Sequence, residues 1–214
     1  MSESETDPCL GPRFESALVL AARLHRDQVR KGTRIPYVAH LLAVASLALE
    51  HGAYEDEAIA ALLHDAVEDQ GGDPTFESIR NEFGERVASL VLELSDARPA
   101  RGEEKPPWRV RKERYLEHLD RASPSVRMLA AADKLHNLRA IVEDLRVDGD
   151  CVWERFNASR SEIVWYYREI VRILAREPRT RLSTLLEGAF RELEAEAEKP
   201  ASSAGAPKPD TSRI

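Results

Sequence analysis

Apolar residues along this chain recur at intervals of three and four, the repeat of a helix face and not of a strand. Phe14, Leu18, Ala21, Ala22 and His25 form one such stripe. The same pattern predicts a second helix over about 38–50, stopping near Gly52. A third opens on Glu55-Asp56-Glu57, acids that suit the positive end of a helix dipole, and runs on through IAALLHDAVED. Gly71-Gly72-Asp73-Pro74 then breaks the chain. Thr75 is a candidate cap for a short helix ending at Phe83-Gly84, and a fifth helix covers Glu85 to about Leu94. Residues 97–107 hold three prolines and a glycine and are expected to form a long loop, a kind of segment that often carries function. Further helices are expected from Trp108, Pro124, Ser159 and Thr180. No internal repeat and no run of alternating β-branched residues interrupts this series. The fold expected is all-α: one multi-helix domain over 13–198, with disordered segments at 1–12 and at 199–214, the latter reading KPASSAGAPKPDTSRI.

Composition narrows the function classes. The chain has 214 residues, 43% apolar and 32% charged, which describes a globular domain with some length to spare. No apolar run approaches the ~18 residues of a membrane span, so no membrane partner is expected. The opening MSESETDPCLGP has neither a basic nor an apolar region of the kind an export signal needs, so a cytoplasmic location is expected. Cys9 and Cys151 are too few and too far apart for a disulfide framework or a zinc site. A net charge of −7 argues against a general nucleic-acid binder.

Three features carry chemistry. His64-Asp65 follows the apolar run Ala60-Ala61-Leu62-Leu63, and on a helix His64 faces Glu68 while Asp65 faces Asp69. Four ionisable groups behind such a run are costly to bury unless a divalent metal compensates them; the alternative is that the apolar face ends at Leu63 and the charges reach solvent. Asp133 lies within the core-like helix SVRMLAAADKLHNLRAIV, with Asn137 one turn later on the same face. A helix-stabilising Asp133–Asn137 pair would explain it equally. His40 falls in the first turn of the second helix with an apolar face behind it, where a core or capping histidine is also common. Together they supply two imidazoles and two carboxylates from three helices, a set that suits Mn²⁺, Fe²⁺, Zn²⁺ or Mg²⁺ with open positions left over.

The stretches RKGTRIPYVAH, AALLHDAVED, FGERVASLV and ADKLHNLR resemble, in this order, the HD-domain metal-dependent phosphohydrolases. The likeness is to the RelA/SpoT-type hydrolase domain, including the small alarmone hydrolases, and covers about 14–146 with a weaker continuation to about 195. It implies an HD-type helical bundle in which His40, His64, Asp65 and Asp133 ligate a divalent metal, Mn²⁺ above others. Glu68 and Asp69 match the acidic pair beside the metal's water. Arg30 and Lys31 match a basic pair at the substrate, Asn137 an Asn at the nucleotide, and Tyr166 a tyrosine near the phosphates. Lys134 stands where the family usually has Arg, keeping the charge and losing a bidentate fork. The 97–113 segment differs from the family's usual stretch.

Charge clustering points the same way without the resemblance. Residues 23–34 hold five basic groups against Asp27, and residues 98–114 hold seven against three acids. Such segments suit capture of a multiply phosphorylated small molecule, though solvated helix faces look similar. Trp108 and Arg109 could anchor the loop or stack on a base. The function expected is removal of the 3′-pyrophosphate from (p)ppGpp-type alarmones to give GDP or GTP. A different phosphate compound such as ppApp or NADPH, or a nucleotide sensor without turnover, are the alternatives. Nothing in the sequence bears on oligomeric state.

Overall fold

The computed structural model describes residues 10–95, 106–176 and 178–199. Among these the only extended pairing is one antiparallel bridge, Val29 with Pro36; everything else regular is helical. The helices are α1 (Pro12–Leu24), α2 (Val38–Glu50), α3 (Glu55–Leu63), α4 (Ala66–Asp69), α5 (Asp73–Phe83), α6 (Glu85–Leu94), α7 (Trp108–Asp120), α8 (Pro124–Asp148), α9 (Arg160–Leu174) and α10 (Arg181–Glu198), with a 3-10 segment at Gly149–Arg155. No helix of the described residues is long and apolar enough to cross a membrane. The all-α expectation holds.

Two helices are the axis of the core. In α3 every residue from Glu57 to Leu63 is buried, and in α8 burial is continuous from Leu129 to Asp133. Stretches buried on every side can only be stable when other helices surround them. Accordingly α8 packs on α2, α6, α9, α10 and the 3-10 segment, while α3 packs on α1, α2 and α6. Burying Leu62, Leu63, Leu129, Leu135 and Leu138 completely contributes on the order of 2 kcal/mol each before entropy is counted.

Caps set the ends. Ser123 opens α8 by accepting from Val126 N, Ser159 and Glu162 form a capping box on α9, and Thr180 and Ser183 form one on α10. Gly84, at φ +91°, closes α5 and opens α6 in one residue. Thr75 does not cap: Gly72 does, and the Thr75 hydroxyl reaches back to the Gln70 carbonyl at 2.7 Å. Pro12, expected in the N-terminal segment, instead begins α1. Gly11 N donates to Glu55 Oε1 at 2.7 Å and Arg13 pairs with Glu55 and Asp56, which ties this end of the chain to α3. Residues 1–9 and 200–214 of the segments expected to be disordered, and 97–105 of the expected loop, lie outside the described residues; Trp108 begins a helix.

One departure matters for function. The expected continuous helix through IAALLHDAVED is two helices, with a turn at His64-Asp65. No glycine or proline announces it, because both halves pack on the same core and keep the apolar pattern unbroken. On a regular helix consecutive side chains point about 100° apart. The turn lets two neighbours aim at one point.

Candidate functional site

His64 Nε2 and Asp65 Oδ2 lie 3.0 Å apart. From the first turn of α2, His40 brings its Nε2 to 3.3 Å from His64 Nε2 and 3.7 Å from Asp65 Oδ2. From the buried stretch of α8, Asp133 Oδ1 reaches 3.3 Å from His40 Nε2 and 3.8 Å from His64 Nε2. The His40, His64 and Asp65 donors all fall within 4.8 Å of one another. Donors about 2.1 Å from a shared ion stand about 3 Å apart when adjacent, so this spacing fits a divalent cation. His40, His64 and Asp133 are buried and Asp65 partly so.

The far side of each imidazole fixes which nitrogen is offered. His64 Nδ1 lies 2.8 Å from the Ala61 carbonyl, which can only accept, so Nδ1 carries the proton and Nε2 faces the centre. His40 Nδ1 lies 2.9 Å from His136 Nδ1, which also receives Arg30 Nη1 at 3.0 Å. Tyr37 donates its hydroxyl to Asp65 Oδ2 at 2.5 Å. Asn137 donates to Asp133 Oδ1 at 2.6 Å, and Lys134 Nζ lies 2.5 Å from Asp133 Oδ2. The Asp133–Asn137 helix pair read as an alternative to a site is therefore present within it.

Electrostatics follow from this packing. Burial lowers the His40 pKa, with Asp133 opposing. At His64 burial also acts downward, but Asp65 and Asp133 outweigh it and push the ring up to about 9. Burial opposes ionisation of both carboxylates, yet His64 holds Asp65 low and Lys134, with the histidines, holds Asp133 low. His136 is pushed down to about 4 by burial, with the neighbouring His40 ring and Arg30 guanidinium also disfavouring a second proton there. Without a metal, one proton on His64 sits among two carboxylates.

The family model for the HD domain matches residues 17–164, and the histidine–aspartate pair lies within that span. This chain belongs to the HD-domain family. Its HD domain is 38% identical over 133 residues to the Xenopus tropicalis guanosine-3′,5′-bis(diphosphate) 3′-pyrophosphohydrolase MESH1, covering 58% of this chain and 70% of that protein. The human protein of the same name is 37% identical over 122 residues, 56% of this chain and 64% of its own length. A solved structure described as a metazoan orthologue of SpoT that hydrolyses ppGpp superposes with a TM-score of 0.69 at 31% identity, over 87% of this chain and 97% of that one. A Listeria monocytogenes EGD-e structure, lmo0812, gives 0.60 at 28% identity, over 75% and 99%.

Beside the four-residue cluster the HD domain opens a cleft of about 400 Å³. A hairpin held by Arg30 N to Ile35 O, 2.8 Å, and Tyr37 N to Gln28 O, 2.9 Å, forms one wall. It places Arg30, Lys31 and Thr33 on the cleft; Lys134, Asn137 and Tyr166 face it from α8 and α9. Arg30 is also engaged with Asn137 Oδ1 at 3.1 Å, and Lys31 with Asn157 Oδ1 at 2.7 Å. The buried Tyr166 hydroxyl has no hydrogen-bond partner among the described residues.

Glu68 and Asp69 sit on α4, one turn beyond Asp65. Gln28 Nε2 donates to Asp69 Oδ2 at 2.8 Å, while Gln28 Oε1 meets His25 Nδ1 and Gln70 Nε2, so the amide orientation is fixed. Arg111 Nη1 lies 4.0 Å from Glu68 Oε1, and Lys112 lines the cleft with its Nζ 4.9 Å from the Tyr166 ring centroid. The second basic segment thus faces the site in part. Trp108 packs edge-on against Trp165 and Tyr166, and Arg109 stacks on Trp165 while pairing with Glu113, which makes Arg109 an anchor. His136, Gln28, Tyr37, Arg111 and Lys112 are site residues that sequence reasoning did not name, though the last two fall in the basic segment it singled out.

Proposed function

We propose that this HD domain is a metal-dependent phosphohydrolase that removes the 3′-pyrophosphate of (p)ppGpp-type alarmones in the cytoplasm, leaving GDP or GTP. The observation that carries this is the convergence of His40, His64, Asp65 and Asp133 on one point at the edge of a cation-lined cleft. The names of the relatives supply the substrate class.

His40, His64, Asp65 and Asp133 would hold the cation, and Mn²⁺ suits a set of two imidazoles and two carboxylates. When bound it would acidify water and polarise the phosphoryl group. Glu68 and Asp69 orient the attacking water and take its proton; Asp69 is held ready by Gln28. The water oxygen forms a bond to the phosphorus next to the ribose, the bond from phosphorus to the 3′ oxygen breaks, and that oxygen regains a proton as the 3′ hydroxyl. Arg30, Lys31 and Lys112 balance charge on the phosphates, and Lys134 acts mainly on Asp133, its 2.5 Å partner. Asn137 bridges Arg30 to Asp133 and so couples the phosphate end of the cleft to the cation site. The Tyr166 hydroxyl is the polar group on the cleft wall with a bond left to give.

Product analysis tests this directly. Metal-stripped protein is incubated with ppGpp, ppApp, NADPH and common nucleotides, with and without Mn²⁺, and products are separated by chromatography. Mn²⁺-dependent release of pyrophosphate from ppGpp, lost in Asp133→Ala, is the expected result. Turnover confined to NADPH, or none despite stoichiometric metal, refutes it.

A further inference from the structure

Asp133, Asn137, Ala140 and Asp144 form one stripe of α8. From Asp133 to Asp144 is three helical turns, so Asp144 lies on the same side about 16 Å further along the axis. Asn137, Ala140 and Asp144 all line the cleft. The stripe is a ruler with the cation site at one end and a carboxylate at the other.

Basic groups lie along the length of the cleft. Arg30 and Lys134 bond His136, Asn137 and Asp133 near the cation site, Lys112 stands over the Tyr166 ring, and Lys31 reaches Asn157 Oδ1, two residues past Arg155. At the far end Arg155 is shared by two acids, Nη1 to Asp144 Oδ2 and Nη2 to Asp148 Oδ2, both at 2.7 Å. Of the two acids, Asp144 is the one that lines the cleft. Arg155 is itself fixed from above: a Cβ on Gly32, at φ +74°, would stand 2.6 Å from Arg155 Cγ and Cδ, so the hairpin backbone rests on the arginine stem. Asp144 Oδ1 has no partner among the described residues. Ile141, Val152 and Phe156 supply apolar flanks beside it.

A flat, uncharged base with its donor edge outward fits that end. A carboxylate is best satisfied by two adjacent N–H donors. Guanine offers N1–H beside its N2 amino group; adenine puts a bare N1 acceptor beside its amino group, which a carboxylate repels. We propose that Asp144, held by Arg155, selects guanine over adenine. The proposal rests on the nucleotide phosphohydrolase function above and names the residue that reads its base.

The test compares kcat/KM for ppGpp and ppApp in the wild type, Asp144→Asn and Asp144→Glu, alongside GDP and ADP binding by calorimetry. The wild type should prefer the guanosine substrate. Asp144→Asn, whose oxygen stays on Arg155 and whose amide then donates toward the base, should lose guanosine preference by about ten- to a hundredfold. Asp144→Glu, which keeps the carboxylate, should retain most of it. An unchanged guanosine-to-adenosine ratio in Asp144→Asn, or an equal loss on both substrates, overturns the assignment while leaving the hydrolase intact. A wild type that hydrolyses neither alarmone but binds GDP over ADP through Asp144 supports the base slot and refutes the proposed reaction instead. Equal GDP and ADP binding in the wild type overturns the slot.

Discussion

His136 Nδ1 lies 2.9 Å from His40 Nδ1, and with Arg30 on the same nitrogen this contact decides the tautomer of both rings. Arg30 Nη1, 3.0 Å from the same His136 nitrogen, can only donate, so His136 Nδ1 is the acceptor. The proton between the rings therefore belongs to His40, whose Nε2 is left bare toward the carboxylates. One imidazole thus presents a ligand nitrogen and holds a cleft arginine at once.

Replacing His136 should consequently disturb both partners. His136→Phe is expected to weaken metal binding about 10- to 100-fold and to raise KM through Arg30. His136→Gln, which keeps an acceptor, should recover part of the loss. Metal titration of the stripped protein and steady-state kinetics read the two effects separately.

Asp133→Ala should abolish turnover and also destabilise the fold. It leaves the largely buried Lys134 ammonium, 14% exposed, without its 2.5 Å partner. Breaking a buried pair from one side costs about 3 kcal/mol. The double variant Asp133→Ala, Lys134→Met should regain much of that stability in denaturant titrations and none of the activity.

Glu68→Gln separates binding from chemistry. The change should leave metal stoichiometry untouched, because the four converging donors lie elsewhere. Its kcat should fall about 10²- to 10⁴-fold. Normal turnover in this variant would contradict the role given to Glu68.

Stability of the metal-free protein should pass through a maximum near pH 6.5. His136, pushed down to about 4, stays neutral in the fold while the unfolded chain still binds its proton, so stability rises between pH 4 and 6.5. His64, pushed up to about 9, keeps its proton in the fold after the unfolded chain has released it, so stability falls from pH 6.5 to 9. Bound metal replaces that proton. The gap in Tm between the metal-loaded and stripped protein should therefore widen as pH rises through this upper range.

Much of this was legible in residue types and spacing. His40, His64, Asp65 and Asp133 are anomalous where they stand, charged or titratable groups against apolar runs, and the structure brings all of them together. Gln28 and His136 gave no such signal. Each is an ordinary polar residue whose role is set by a partner 41 or 96 positions away, Asp69 for one and His40 for the other. The turn at His64-Asp65 was hidden for the opposite reason, since core packing preserves a helical apolar pattern across a break in the backbone. Thr75 looked like a cap because caps are judged by residue type, while the actual bond depends on where Gln70 places its carbonyl.

Asp133 sits in the most deeply buried part of α8, with Ala132 before it and Leu135 two residues on both fully buried. Many enzymes lose activity on warming before they melt, because their reacting groups ride on loops that open locally at low cost. Here the amides around Asp133 should be among the slowest in the protein to exchange with deuterium. The hairpin over 29–36, joined by a lone bridge, should exchange far sooner. Heating should therefore weaken nucleotide affinity first and spare the chemical centre until the whole domain melts, so heat inactivation at saturating substrate will track global unfolding.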